Sequence, residues 1–216
     1  MKFDIITIFP DQIKAFTNEG VFHIAQKKKL VDIQVHDLRK WTTDKHKTVD
    51  DRPFGGGPGM IMKIEPIYKA INELMQKNSK VILVTPKGDL FDQSKAKALA
   101  EDSQAHYIIL CGHYEGFDER IHKHLTDIEL SVGNFVLSGG EIPALIIVDA
   151  ITRLLPGVLG NVDSLVEETF ENDSFEYPQY TRPDVFNKWK VPDILLSGDH
   201  KKVAQWKSKN TKSASC

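Results

Sequence analysis

Cysteine is nearly absent: the 216 residues hold two, Cys111 and Cys216. Two thiols cannot make a disulfide framework, so both read as reduced. Long hydrophobic runs are missing too; none approaches the roughly 20 residues of a bilayer span. The N-terminal MKFDIITIFP has too short an apolar stretch for a secretory signal and reads as a first core strand. These absences point to a cytoplasmic protein with no membrane role. The chain has no Gly-Lys-Ser/Thr, hence no Walker A loop. His113-Tyr114-Glu115 imitates the His-x-Glu of zinc deaminases, but no Cys-x-x-Cys accompanies it. No metal ligands are therefore assigned.

A strong charge of one sign is also lacking, the formal net charge being −2. The distribution is uneven. Residues 27–47 carry seven Lys or Arg against three Asp, and residues 177–216 carry eight against three. Residues 163–176 carry six acids and no base. Local basic surface matters more to phosphate binding than the total does, although charge runs are also what any solvated face looks like.

What is present is an alternation. Apolar runs of strand length recur at Phe3–Phe9, Val31–Val35, Val81–Thr85, Tyr107–Cys111 and, more weakly, Ile128–Val132. Helical patterns lie between them. Ile13, Phe16 and, past Gly20, Phe22 predict a helix or a broken helix. Ile64, Ile67, Ile71, Leu74 and Met75 share one helical face, and Asp92 reads as the N-cap of 93–100. This alternation predicts an α/β fold with a mostly parallel sheet. Pro143–Leu155 is apolar nearly all round, which predicts a helix buried in the core or in a subunit contact. After Pro156-Gly157 the chain becomes polar and acidic. A basic tail follows, with Trp189 and Trp206 as expected anchors of short helices. His122 and His124 are expected on an exposed helix face.

Three glycine-bearing loops follow predicted strands: Thr85–Gly88, Gly112–Gly116 and Val132–Gly140. Ligands of open α/β sheets bind outside the carboxyl ends of the strands. Taken singly, each glycine needs no more than a tight turn to explain it. Three such loops together favour a shared ligand site. The loop FGGGPGM (54–60) lacks the third glycine of a dinucleotide fingerprint and follows no clear strand.

RPFGGGPGM (52–60), CGHYEGFDER (111–120), VLSGGEIPALIIVDAITRLLPGVLG (136–160), YPQYTRP (177–183) and VPDILLSGDH (191–200) closely resemble the bacterial tRNA (guanine-N1)-methyltransferase family, of the SPOUT class. The resemblance covers nearly the whole chain, in order. It implies a SPOUT-type parallel sheet with a C-terminal trefoil knot, plus a small, mainly helical C-terminal domain. It implies a knotted S-adenosylmethionine-binding domain over 1–160, a flexible acidic interdomain loop over 161–176 and a short basic tRNA-binding domain over 177–216. Chain-threading rules would have voted against a knot. The partners implied are tRNA and a second copy of the chain, the active site lying at the subunit interface with Arg153 and the cofactor loops of one copy facing the acidic loop of the other. The methyl donor implied is S-adenosylmethionine, with Mg2+ left open.

By resemblance, Gly112, Val132, Gly133, Asn134, Phe135, Val136 and Leu137 hold the cofactor, helped by Val84, Thr85, Pro86, Tyr114, Glu115, Gly116, Gly139 and Gly140. The sequence departs from the family at His113, where Arg is usual, and at Asn134-Phe135, where Asp-Tyr is common. Its tRNA-binding segment also stops sooner after Trp206. Arg182, Lys188, Lys190, Lys201 and Lys202 are expected on RNA phosphates, with Arg39 and Lys40 as additions.

Guanine N1 is protonated at neutral pH and a poor nucleophile. A base must take that proton, and the charge growing on O6 needs a cation or a strong donor. Arg153 matches the family's arginine, and Glu115 is kept among the catalytic candidates. An ungapped register puts the family's carboxylate base at Glu168, with Asp173 a competing local match. Two other readings stay open: a knotted methyltransferase acting elsewhere on RNA, and a non-catalytic RNA-binding protein.

Overall fold

The computed structural model describes residues 1–159 and 174–213. The chain divides into two compact units, Met1–Gly160 and Asn161–Cys216. The strands of the first are β1 (Lys2–Thr7), β2 (Asp32–Asp37), the short antiparallel pair β3 (Asp50–Asp51) and β4 (Ile61–Met62), β5 (Ser79–Leu90), β6 (His106–Cys111) and β7 (Ile128–Ser131). Five of them make a parallel sheet in the order β2-β1-β6-β5-β7. The helices are α1 (Pro10–Thr17), α2 (Gly20–Lys27), α3 (Ile64–Leu74), α4 (Gln93–Ala100), α5 (Glu119–His124) and α6 (Glu141–Thr152), with a 3-10 turn at Leu38–Trp41.

Strands covered on both faces need apolar residues at nearly every position. β6 is buried from end to end, and β1 from Phe3 onward. Phe3, Ile5, Tyr107 and Ile109 pack on one side with Ile13, Phe22, Ala25 and the inner face of α6. Ile6, Ile108 and Leu110 pack on the other with Leu38, Trp41, Ile67 and Ile71. The break between α1 and α2 falls at Asn18-Glu19, and Asp92 caps α4 by accepting from the Lys95 backbone N–H.

The sheet core contains a polar cluster at Asp4. Asp4 is buried, with Oδ1 2.7 Å from His36 Nε2, Oδ2 2.6 Å from His106 Nε2 and Oδ2 2.8 Å from Lys2 Nζ. Burial alone would raise this carboxyl's pKa. Its hydrogen bonds to His36, Lys2 and His106 overcome that and hold it at about 2.

Several details differ from expectation. The third apolar run does not end at Thr85: β5 reaches Leu90, because Val84 and Asp89 both pair with Leu130. Residues 85–88 are therefore a bulge rather than a strand-end loop. Gly88 has to be glycine, since a Cβ there would lie 2.5 Å from the Leu130 backbone N. α6 begins two residues before Pro143 and ends at Thr152, and Ile142 and Ile146, one turn apart, remain exposed on it. Met75 falls outside α3 as its exposed C-cap. His122 is not on an open face: it is half-buried, with Nδ1 2.9 Å from Glu129 Oε1, whereas His124 is exposed. Arg39 is committed inward, donating from Nη1 to the Ile8 carbonyl at 2.6 Å, while Lys40 is exposed.

The described residues of the second unit form β8 (Ser174–Phe175) paired with β11 (Lys212–Ser213), a hairpin of β9 (Val185–Phe186) and β10 (Trp189–Lys190), and helices α7 (Asp193–Leu196) and α8 (His200–Asn210). Asp199 caps α8 through the Lys202 backbone N–H. Helix is thus only part of this unit. Trp206 does sit half-buried on α8, but Trp189 is an exposed hairpin residue rather than a helix anchor.

Candidate active site

The bulge of β5 and the segments that follow β6 and β7 enclose a cleft of about 300 Å³, near the lower end of the range for small-molecule sites. The β5 bulge contributes Val84 to Lys87. The loop after β6 contributes Gly112 to Phe117. The segment from Leu130 to Gly140 contributes all but Asn134, and Pro143 of α6 completes the wall.

Each wall is tied down. The Met62 N–H donates to the Gly116 carbonyl and the Glu115 N–H to the Met60 carbonyl, fastening the β6 loop to β4. Tyr114 takes a positive φ of 61° within it, a conformation non-glycine residues rarely adopt. Ser131 Oγ donates to the Gly133 carbonyl at 3.0 Å. The Gly140 N–H donates to the Gly112 carbonyl at 2.9 Å, closing the third segment onto the second. A Cβ on Gly140 would stand 2.7 Å from the Gly112 N and 2.8 Å from the Cys111 Cα. Glycine is needed there because two backbones touch.

A buried carboxylate supports this closure. Glu141, the first residue of α6, accepts a bond from Thr7 Oγ1 and lies 2.7 Å from His113 Nε2. His113 packs edge-on against Phe9, centroids 4.9 Å apart. The nearby Cys111 is buried, and its thiol is pushed well up by burial and then by the Glu141 charge. Burial also raises the Tyr114 hydroxyl, with Asp50 adding to the effect.

Of the residues expected to hold a cofactor, all but Asn134 line this one cleft; Asn134 is exposed beside it. Lys87, His113, Phe117, His122, Leu130, Ser131, Ser138 and Pro143 line it without having been assigned. Lys87, His113 and Ser138 lie inside the glycine-bearing loops, so position alone could have found them. Phe117 and His122 carry no such signal: Phe117 stands just before α5 and His122 on it, and nothing local says that either faces the cleft. Among the expected catalytic residues, Glu115 lines the cleft. Arg153 does not: it caps the far end of α6, about 18 Å from Glu141 along the helix axis. Burial raises the carboxyl of Asp149, one turn before Arg153, and the guanidinium's charge opposes that rise. Glu168 and Asp173 lie outside the described residues. Arg182, Lys188, Lys190, Lys201 and Lys202 are exposed in the second unit. Among the described residues, no group of three or more His, Cys, Asp or Glu side chains could hold a metal ion. No helix among them is long and apolar enough to cross a membrane.

A parallel sheet covered on both faces, with one glycine-lined cleft at its carboxyl edge, defines an α/β protein built to hold a small ligand at its strand ends. The family model described as tRNA (Guanine-1)-methyltransferase TrmD matches residues 1–215. A tRNA (guanine-N(1)-)-methyltransferase of Dictyoglomus turgidum is 52% identical over 209 residues, covering 97% of this chain and 84% of that protein. Proteins of the same name from Geobacillus kaustophilus and Dehalococcoides mccartyi are 46% and 45% identical over 213 and 214 residues; each alignment covers 98% of this chain and 86% of the relative. The chain belongs to the bacterial tRNA (guanine-N1)-methyltransferase family.

Proposed function

We propose that this protein transfers the methyl group of S-adenosylmethionine to N1 of the guanine immediately 3′ of the anticodon in tRNA. The observation that carries this reading is the convergence of three glycine-bearing segments on one cleft, in a chain of this family. The cleft suits such a donor. Val84, Leu130, Val132 and Leu137 offer apolar surface, and the glycine-rich turns bring backbone N–H and C=O groups to its wall. When bound there, the donor supplies an electrophilic methyl on a sulfonium.

The chain's own residues do the rest. A carboxylate, Glu168 or Asp173, takes the N1 proton as N1 attacks the methyl carbon and the carbon–sulfur bond breaks. The Arg153 guanidinium offsets the charge growing on O6. Glu115, on the cleft wall, orients the bound ligand. The β6 loop and the Gly139-Gly140 turn fix the donor's position, and so the line of attack.

Arg153 and the cleft, expected together in one copy and facing the acidic loop of the other, stand apart in the chain, which supports instead a site shared between two copies in which the arginine of one serves the cleft of the other. Ile142, Ile146, Val136 and Phe135, all exposed, form the apolar surface such a pairing would cover. The reading includes a trefoil-knotted domain over 1–160, an acidic connector over 161–176, a basic tRNA-binding domain over 177–216 and action in the cytoplasm. The return of the β7 segment onto Gly112 is in keeping with the knot.

Incubating the protein with S-adenosylmethionine and unmethylated tRNA, then mapping modified nucleosides, tests the reading. The expected product is 1-methylguanosine next to the anticodon. Methylation at another position, or no binding of S-adenosylmethionine, overturns it.

A further inference from the structure

The hairpin of β9 and β10 is built to display two aromatic rings. Asn187 and Lys188, at its tip, have positive φ values of 47° and 72°, the backbone of a two-residue type I′ turn. That turn sets Trp189 directly opposite Phe186 and Lys190 opposite Val185, and the Val191 N–H closes the base onto the Asp184 carbonyl. Opposed residues share a face of a hairpin. The rings accordingly meet, centroids 6.0 Å apart and planes at 49°. They remain 63% and 69% exposed. Other aromatics of this unit are engaged: Tyr177 lies under the Lys207 ammonium, and Tyr180 meets Trp206.

The charge around the pair has one sign in excess. Arg182, Lys188 and Lys190 are exposed, and none has an ion pair among the described residues; Asp184 is the one acid within 182–190. Exposed rings flanked by unpaired cations are the combination that holds single-stranded nucleic acid. The cations meet phosphates and the rings stack on bases, whatever the base.

We propose that the Phe186–Trp189 pair is a stacking platform for an unpaired base of the tRNA, with Arg182, Lys188 and Lys190 on the flanking phosphates. The proposal rests on the reading of tRNA as substrate, and adds to it a contact with an unpaired base besides the phosphate contacts. The hairpin thereby distinguishes a looped RNA from a plain duplex, whose bases are already stacked on each other.

The test uses the full chain and compares a tRNA transcript with a blunt RNA duplex of equal length, each titrated at several salt concentrations. Replacing both rings, Phe186→Ala with Trp189→Ala, should weaken tRNA binding on the order of tenfold or more. Duplex binding, the salt slope and S-adenosylmethionine affinity should stay as they were. Trp189→Phe keeps a ring and should stay within a few-fold of the parent. Lys188→Ala and Lys190→Ala should each lower the salt slope by about one. Equal tRNA binding by parent and double variant overturns the platform, as does an equal loss on duplex and tRNA. A changed oligomeric mass in the double variant, both rings being exposed, would assign the pair to a second copy instead and overturn it too. If the parent protein binds no tRNA, the substrate reading falls and the platform with it.

Discussion

His113 and Glu141 stand 28 residues apart in the chain and 2.7 Å apart in space. Their bond joins the loop after β6 to the first turn of α6, with Gly139-Gly140 between them. Glu141 also takes the Thr7 hydroxyl at the end of β1, so one buried carboxylate ties together three elements around the cleft.

Glu141→Ala should therefore leave a hydroxyl and an imidazole short of a partner at once. A loss of about 1–3 kcal/mol is expected for each buried group left unsatisfied, read as a lower denaturation midpoint. S-adenosylmethionine affinity should fall with it. His113→Arg keeps a donor for Glu141 and should bind the donor nearly as the parent does, whereas His113→Ala should not. Equal affinity of His113→Ala and the parent by calorimetry would remove His113 from any positioning role.

Gly140→Val should abolish donor binding. The cause is internal: the added Cβ would meet the backbone at Cys111 and Gly112 before any ligand arrives. The variant should also melt earlier, so calorimetric binding and thermal melts should be measured together. Normal binding would mean that the third segment does not form the cleft wall.

Asp4 predicts an acid limb of stability. Its native pKa of about 2 lies below the ordinary carboxyl value of 3.8. The carboxylate therefore contributes fully above about pH 4, and that contribution is lost as the pH falls toward 2. The difference corresponds to roughly 2 kcal/mol. Asp4→Asn should be less stable at pH 7 and lose less on acidification than the parent. Parallel stability curves for the two between pH 4 and pH 2 would contradict this.

Glu168→Gln should collapse turnover while tRNA and donor binding persist, the pattern of an interaction made in the transition state. Asp173→Asn should be mild. The opposite result would move the base to Asp173. Single-turnover methylation with both ligands saturating separates these outcomes from a binding defect.

Mixing two inactive proteins tests the shared site. A Gly140→Val chain and an Arg153→Ala chain should regain part of the activity as hybrid dimers, since one site in each hybrid is intact. Hybrids that form and remain inactive would place Arg153 and the cleft in the same chain's site.

The legible parts of this molecule are those in which neighbours in sequence report one environment. β1, β5 and β6 announce themselves as apolar runs because both faces of each are covered. α3 shows its inner face through Ile64, Ile67 and Ile71. The cleft was legible because glycine loops follow such runs, and the family resemblance named fourteen of its 22 lining residues. Long-range side-chain bonds have no such trace. Nothing near Asp4 points to His106, 102 positions away, and nothing near His113 points to Glu141. The hairpin at 185–190 has two residues per strand, too few for an alternation to register. Arg153 is proposed only by resemblance, since a helix-end arginine has no pattern of its own.

The resumption of β5 after its bulge makes one dimension of the cleft a matter of counting. Val84 and Asp89 flank the same partner residue, Leu130, so the excursion between them is clamped at both ends and holds four residues. Inserting or deleting one residue there would turn Asp89 and Leu90 over to opposite faces of the sheet. The exposed side chains of Pro86 and Lys87 have room to vary, but the length of the segment cannot change and Gly88 cannot gain a side chain. The segment behaves less like a loop than like a spacer cut to measure, and a length variant should cost more stability than a substitution at Pro86 or Lys87.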